Sequence, residues 1–396
     1  TLQHWDGTCY VVDISGDICQ NVAVPNKIIF NPDDMNGALY NIFFPVDMFE
    51  NDADKNEALE QLAFQLMPLE TNMTDTSVFF LTEGRKILTA AMITYYHQGM
   101  DFPQICKRII SSSWSTLFSE IDQNGNYEAK QYINSFEGTN EKNIAGCKQA
   151  CDSALKLFAT NSHVYNAIGR EREGKEAFTP EQLENKNIFV VIQDSKLELY
   201  EPLVHIITAQ CMEYFSNRDN NNQHTILMCL DEFASFGHLE ITPALRKLRK
   251  KHVRIMVLTQ SLADIDLIYG RDERMAMLNN FAYKIVLGCS DSDTQEYFSR
   301  LIGEKEVYRK AVSKNGKQVT NTRTEAKERI VPPAELARLG RHMILLAEGK
   351  YYKLTKNYYF ELDLWDRVKK CINNLSRIQE EDFSEKNTLS LTDENK

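Results

Sequence analysis

The sequence predicts an α/β fold with a mostly parallel sheet, and three observations support it. Short apolar runs without helical period alternate with segments of helical periodicity over most of the chain. Residues 226–230 (ILMCL) form an unbroken apolar run, which is typical of a central strand buried on both faces. Strand-like runs disappear over residues 101–182, where helical segments follow one another. We therefore expect an α/β domain that carries an inserted all-α domain.

The apolar periodicity and the turn residues place the individual elements. The predicted strands lie at residues 9–14, 27–31, 187–193, 226–230, 253–258, 282–287, 342–347 and 351–362. The predicted helices lie at 54–67, 77–98, 103–112, 114–122, 127–135, 141–160, 197–216, 245–251, 261–268, 272–280, 292–302 and 333–339. Asn315 and Gly316 are typical of a hairpin turn.

These elements divide the chain into three predicted regions. Residues 1–100 and 183–364 form a discontinuous α/β domain, and residues 101–182 form the all-α domain. Residues 365–396 form a polar helix and a charged tail, which we expect to be disordered from about residue 380.

Composition limits the classes of function. The 396 residues carry 45 basic and 56 acidic side chains, so the formal charge is 45 − 56 = −11. A net acidic chain is not a general nucleic-acid coat, and any contact with nucleic acid requires a local basic patch. The nine cysteines are odd in number, which favours reduced thiols in a cytosol. Cys147 and Cys151 lack the second pair of ligands that a structural metal site requires.

The termini and the hydropathy predict a piece of a longer protein. No apolar stretch approaches the length of a membrane span, and no signal peptide is visible. The first residue is Thr rather than Met, so we expect a fragment or a processed product.

Polar side chains at the ends of the predicted strands suggest a nucleotide hydrolase. Asp231 follows the strand at 226–230 and can hold a water of a Mg²⁺ shell, and Glu232 can polarise the water that attacks a γ-phosphate. Gln260 follows the next apolar strand and can sense that phosphate, and Asp13 ends the first strand at the same edge. The alternative is an ordinary α/β domain with an Asp-Glu pair on its surface.

Several motifs together resemble the cytosolic part of type IV secretion coupling proteins, the ATPases that feed DNA or protein into a conjugation channel. The helical insertion also falls where that family carries its all-α domain. The matching segments are VVDISGD at 11–17, IIFNP at 28–32, LMCLDEFASFG at 227–237, VLTQSLADI at 257–265 with Tyr269-Gly270, KIVLGCSDSDT at 284–294, and PPAEL at 332–336 followed by MILLAEGK.

The resemblance implies a RecA-like P-loop ATPase core that uses ATP and Mg²⁺. It implies that Asp231 is the Mg²⁺-associated carboxylate, that Glu232 is the catalytic glutamate, and that Gln260 is the γ-phosphate sensor. It also implies that Arg249 reaches the nucleotide of a neighbouring subunit in a homohexamer, for which a planar guanidinium is suited. The alternative for Arg249 is a solvated helix face. The other basic residues that compete for the role are Arg246, Lys247, Lys250 and Lys251.

One departure from the family pattern concerns the phosphate loop. The pattern G-x-x-x-x-G-K-[ST] does not occur, and Gly84-Arg85-Lys86 and Gly316-Lys317 lack its other residues. The family's upstream membrane helices are not found either. We therefore expect that the chain begins just after the phosphate-binding helix and that this fragment is inactive on its own.

The resemblance predicts a motor that drives DNA or nucleoprotein into a type IV secretion channel. Its predicted partners are DNA, relaxase and other relaxosome proteins, and the channel. The full-length protein is expected at the cytoplasmic face of the bacterial inner membrane, held there by N-terminal helices, and the fragment alone is expected to be soluble and cytoplasmic. Two alternatives stay open: a channel-assembly ATPase of the same machinery, and a non-catalytic docking module for the relaxosome.

Overall fold

The protein is described here from a computed structural model, which covers residues 2–69, 73–171, 175–315 and 318–358. These residues form two compact units, and the division falls between Leu258 and Thr259. The predicted C-terminal helix and tail at 365–396 lie outside the described residues.

The described residues of the first unit contain seven strands. They are β1 (Thr8–Ile14), β2 (Lys27–Phe30), β3 (Leu39–Tyr40), β4 (Ala177–Phe178), β5 (Asn187–Ile192), β6 (Ile226–Leu230) and β7 (Val253–Val257). Five of them form one parallel sheet in the order β2-β5-β1-β6-β7, and β3 pairs with β4 in a separate two-stranded ladder. The predicted parallel α/β architecture is therefore confirmed.

The core lies on both faces of the central strands. Tyr10 and Val12 of β1 are fully buried on one face, and Cys9 and Val11 are buried on the other. Every residue of β6 is likewise buried, as the unbroken apolar run predicts. By contrast, β7 is an edge strand whose side chains are mostly half-buried.

Side chains cap the amino ends of most helices in the first unit, for example Asp101, which forms a capping box with Gln104. The described residues of this unit contain eleven helices. They are α1 (Asp17–Asn21), α2 (Phe44–Asp47), α3 (Asp52–Leu66), α4 (Asp75–His97), α5 (Phe102–Ser111), α6 (Trp114–Asn124), α7 (Tyr127–Asn134), α8 (Glu141–Thr160), α9 (Ser162–Ala167), α10 (Leu197–Ser216) and α11 (Ile241–Leu248). Short 3₁₀ helices occupy Leu2–His4, Pro180–Glu184, Asp194–Lys196, Phe233–Phe236 and Arg249–Lys251.

The helical region is organised around the crossing of α4 and α8. A Cβ at Gly84 of α4 would lie 2.8 Å from the carbonyl oxygen of Cys147, so glycine lets the two backbones approach closely. A Cβ at Gly146 would lie 2.5 Å from the ring of Phe80. Because α4 precedes residue 101, the packed helical layer includes residues on both sides of that position. The boundaries 1–100, 101–182 and 183–364 stay a prediction.

The second unit contains the remaining elements. They are α12 (Leu262–Asn280), β8 (Tyr283–Val286), α13 (Ser292–Ile302), β9 (Glu304–Asn315), β10 (Gln318–Arg329), α14 (Pro333–Leu336), β11 (His342–Ala347) and β12 (Lys350–Thr355). β12, β11 and β8 form an antiparallel sheet in that order, and β9 and β10 form the expected hairpin. The non-helical backbone of Gly270 divides α12 where the sequence predicts two helices.

Candidate functional site

The parallel pairing of β1 and β6 brings two acidic residues together at the carboxyl edge of the sheet. Val12 pairs with Leu230, and the amide of Asp231 donates to the carbonyl oxygen of Val12 at 3.3 Å. The next position in this register places Asp13 beside Asp231. Since side chains alternate between the faces of a strand, both carboxylates lie on the face that carries Val11. The structure therefore brings together two of the predicted site residues.

Asp13 has a clear local role. It is fully buried, and its carboxylate accepts hydrogen bonds from the amides of Cys19 at 2.6 Å and Ile18 at 3.3 Å. Burial raises the pKa of Asp13, and these amide donors counteract that rise. Asp13 thus fixes the first turn of α1 against the sheet, and its proposed part in cofactor binding stays a prediction.

Asp231 is the more accessible of the two carboxylates, since it is half-buried. Burial is the main cause that raises the pKa of Asp231, and the negative charges of Glu232 and Asp13 raise it further. A divalent cation near Asp231 would relieve this repulsion. Carboxylate oxygens are ligands that Mg²⁺ accepts, so the residues at this edge fit the predicted ion.

Glu232 adopts an unusual backbone conformation. Its φ is 50° and its ψ is 46°, the left-handed region that non-glycine residues rarely occupy. The turn is held because the amide of Phe233 donates to the carbonyl of Leu258 at 2.9 Å, and the amide of Ser235 donates to the carbonyl of Glu232 at 2.8 Å. Such strain persists only where the surroundings over-determine it, and it is common at functional sites.

The rest of the DEFASFG motif anchors this turn. Phe233 and Phe236 are fully buried, so the 3₁₀ helix that follows Glu232 is fixed in the core. Gly237 has a φ of 67°, and a Cβ there would clash with the carboxylate oxygen of Glu201. Aromatic anchors and a required glycine therefore explain why the Asp-Glu pair is followed by this particular sequence.

Arg249 lies at the opposite edge of the sheet. It begins the 3₁₀ helix Arg249–Lys251, which precedes β7, and its side chain is exposed. Five residues of β7 span roughly 17 Å, so the strand separates Arg249 from the carboxyl edge of its own sheet. Arg249 is therefore not brought together with Asp231 within the subunit, whereas a role toward a neighbouring subunit is compatible with its exposure.

Gln260 belongs to the second unit. It follows Val257, the last residue of β7, by three positions, and its side chain is exposed. Its predicted position near Glu232 stays a prediction.

Sequence reasoning missed Arg218, which organises the amino edge of the sheet. Its side chain is 3% exposed. Its guanidinium donates to Glu184 Oε1 at 2.7 Å and Glu184 Oε2 at 2.5 Å, and to the carbonyls of His224 at 2.8 Å and Lys251 at 2.7 Å. One residue thus joins the segments that precede β5, β6 and β7. A lone arginine after a helix gives no signal for this role, because its partner Glu184 lies 34 residues earlier.

Within the described residues, no group of three or more His, Cys, Asp or Glu residues could hold a metal ion. A Mg²⁺ ion at Asp231 would therefore need water or phosphate oxygens as its other ligands. Among the same residues, none of the helices is long and apolar enough to cross a membrane.

The structure defines the class of protein: an α/β fold with a parallel central sheet and acidic residues at its carboxyl edge. The sequence model of the family described as "Type IV secretory system Conjugative DNA transfer" matches residues 1–386. The chain belongs to this family, which confirms the resemblance found in the sequence.

Individual relatives agree with this assignment. The chain is 20% identical over 327 residues to Protein VirD4 of Rhizobium rhizogenes, covering 77% of this chain and 46% of that protein. It is 23% identical over 195 residues to Protein VirD4 of Agrobacterium fabrum, covering 48% of this chain and 28% of that protein. The chain thus spans less than half the length of these curated relatives.

Solved structures show the same fold. The conjugative coupling protein TrwB, in an unbound form, superposes with a TM-score of 0.71 at 21% identity, covering 89% of this chain and 79% of that chain. TrwB in complex with ADP and Mg²⁺ superposes with a TM-score of 0.68 at 20% identity, covering 90% and 80%. The expected α/β fold with a mostly parallel sheet is thereby confirmed, and it is the fold of TrwB.

Proposed function

We propose that this chain is the cytosolic motor part of a conjugative coupling protein, in which ATP hydrolysis drives DNA or nucleoprotein into a type IV secretion channel. The observation that carries the proposal is the carboxyl edge of the sheet. There Asp231 lies beside Asp13, and Glu232 is held in a strained turn immediately after a central strand. Membership of the DNA-transfer family supports this assignment.

Asp231 and Glu232 have different proposed roles in the reaction. In its ionised form Asp231 accepts hydrogen bonds from a water of the Mg²⁺ shell. Burial and the neighbouring carboxylates raise its pKa, so a nearby cation would stabilise the ionised form. Glu232 orients and polarises the water that attacks the γ-phosphate, a task for a carboxylate fixed in direction. Mg²⁺, when bound, supplies positive charge to the phosphate oxygens. Gln260 is proposed to sense the γ-phosphate.

We further propose that the full-length protein acts as a homohexamer. Arg249 is exposed and lies at the edge remote from its own carboxylates, which supports a role at the nucleotide of a neighbouring subunit. The proposed partners are DNA, relaxase and other relaxosome proteins, and the secretion channel. The proposed location is the cytoplasmic face of the bacterial inner membrane.

The experiment that tests this function is a DNA-transfer assay. Donor cells would carry the full-length gene with Asp231→Asn, which keeps the size of the side chain and removes its charge. We expect DNA transfer to be abolished at unchanged protein abundance, because the water of the Mg²⁺ shell loses its anionic partner. The matched control is Asp122→Asn, which changes an exposed carboxylate of α6. Normal transfer by the Asp231→Asn strain would refute the proposed function.

A further inference from the structure

The amino edge of the five-stranded sheet carries an unusual density of cations. Residues 241–263 contain six arginines and lysines and neither Asp nor Glu, whereas acidic residues outnumber basic residues in the chain as a whole. We call these six residues the basic edge. They are Arg246, Lys247, Arg249, Lys250, Lys251 and Arg254.

Five of these cations are exposed, and only Lys251 is half-buried. In the described part of the chain, Lys247, Arg249 and Lys250 have no carboxylate oxygen within 4.0 Å. Several other cations of the first unit are paired, as Arg170 is with Asp47 at 2.7 Å. The basic edge therefore includes three exposed cations that lie beyond ion-pair distance of any carboxylate in the described residues.

This clustering costs stability. Arg246 and Lys247 lie in the last turn of α11, and the 3₁₀ turn Arg249–Lys251 follows it directly, so like charges are crowded together along the chain. The helix dipole favours cations in the last turn of α11. It gives no such benefit to Arg254, which lies on β7. An anionic partner would offset the repulsion at all these positions.

The basic edge is also fixed in place. Arg218 donates to the carbonyl of Lys251 at 2.7 Å, and the ammonium of Lys251 donates in return to the carbonyl of Arg218. The guanidinium of Arg254 donates to the carbonyl of Arg249 at 3.0 Å. The 3₁₀ turn and the start of β7 are thus tied together, which lowers the conformational entropy cost of binding a ligand.

We propose that the basic edge, apart from Arg249, binds the phosphate backbone of DNA without regard to base sequence. The proposal rests on the proposed function, which makes DNA a partner of this chain. The guanidinium of arginine and the ammonium of lysine are the side-chain groups that bind phosphate oxygens. Residues 241–263 contain no Phe, Tyr or Trp on which a base could stack, so this surface contacts the backbone alone. The basic edge is the local basic patch that a net acidic chain needs to hold nucleic acid.

The test is fluorescence anisotropy with a labelled DNA duplex of random sequence, measured between about 50 and 200 mM salt. The triple variant Lys247→Ala, Lys250→Ala, Arg254→Ala leaves Arg249 in place, so the proposed role of Arg249 at the nucleotide is not disturbed. We expect Kd to rise at least about tenfold at low salt. The slope of log K against log salt should become less steep by about 2.7, since each phosphate that a cation neutralises contributes about 0.9 to it.

The matched control removes three exposed lysines from helices of the same unit. They are Lys107, Lys142 and Lys156. We expect the control to bind within about twofold of the unaltered chain, and thermal unfolding followed by circular dichroism would show that both variants are folded.

The outcomes separate this proposal from the proposed function. Equal weakening by the two triple variants would overturn the basic edge as the site but leave DNA as a partner. Failure of the unaltered chain to bind the duplex at low salt would overturn the proposal, whereas the transfer assay would still test the motor independently. Tighter binding of poly-glutamate than of the duplex at equal charge concentration and salt would instead identify a docking surface for acidic proteins and overturn the assignment to nucleic acid.

Discussion

The two edges of the five-stranded sheet differ in charge and in construction. The carboxyl edge carries Asp13, Asp231 and Glu232, which sit at the ends of central strands and are held by backbone amides and a strained turn. The amino edge carries cations on the turn Arg249–Lys251. The buried Arg218 joins this turn to the segments that precede β5 and β6. One edge is thus suited to a metal and a hydrolytic water, and the other is suited to phosphate groups.

This separation has a consequence for the proposed mechanism. Because β7 spans roughly 17 Å, the basic turn before it does not serve the acidic edge of its own sheet. A nucleotide at the carboxyl edge of one subunit would receive Arg249 from another. The contrast between the edges therefore predicts that ATP hydrolysis depends on the assembly of subunits. The stability of the single chain should not depend on assembly.

The largest expected effect is on hydrolysis. In the full-length protein, Arg249→Ala should lower ATP turnover about 10³-fold, which is the lower end of the contribution of an arginine finger. Mixing this variant with Glu232→Gln should partly restore turnover, because mixed hexamers contain boundaries with both an intact arginine and an intact glutamate. The control is Lys156→Ala, which removes an exposed cation of α8. Absence of rescue would argue for a role of Arg249 within its own subunit or for none.

The second effect is on the stability of the amino edge. Within the described residues, Arg218→Ala removes the only cation paired with Glu184, which keeps just the amide of Asn222, and leaves two carbonyls without this donor. It should lower the free energy of unfolding by about 3 kcal/mol. Urea denaturation would measure it. Lys186→Ala removes the exposed ion pair with Glu176 and should cost less than about 1 kcal/mol. Similar losses in both variants would contradict the central position of Arg218.

A smaller effect on the free energy of unfolding, opposite in sign to that of Arg218→Ala, is expected at the carboxyl edge. The pKa of Asp231 is raised in the folded protein above its ordinary value of 3.8, so ionisation costs the folded state stability, and this cost is fully present above the raised pKa. Asp231→Asn removes the cost and should stabilise the chain at neutral pH, by less than about 1 kcal/mol because solvent screens a half-buried group.

The pH dependence gives the control for this prediction. As the pH falls through the raised pKa toward 3.8, the aspartate becomes protonated in the folded state and the advantage of the asparagine variant should vanish. Urea denaturation at several pH values would detect this. Destabilisation by Asp231→Asn at neutral pH would mean that the carboxylate has a stabilising partner.

The smallest effect is expected when ATP and Mg²⁺ are added to the chain as it stands. The sequence contains no G-x-x-x-x-G-K-[ST] loop to supply backbone amides, a lysine and a hydroxyl to the phosphates. Acidic side chains alone repel a triphosphate. Isothermal titration calorimetry should therefore detect no tight binding, and affinity in the micromolar range would reveal a further phosphate site.

The sequence predicts much of the acidic edge and little of the basic edge. The apolar run of β6 and the residues Asp231-Glu232 after it identify a strand end without knowledge of the fold. The left-handed backbone of Glu232 is not predictable, because tertiary contacts such as that between Phe233 and Leu258 impose it. The ion pair of Arg218 with Glu184 depends on strand order, which local patterns do not specify.

The most direct test of the acidic edge is the Glu232→Gln variant of the full-length protein. Glutamine keeps the shape of the side chain and removes the charge that orients the attacking water. ATP binding and ATP turnover would be measured on the same preparation, with Glu240→Gln, an exposed carboxylate beside α11, as the control. We predict unchanged binding and abolished turnover for Glu232→Gln, and near-normal hydrolysis would contradict the assignment of Glu232 as the catalytic carboxylate.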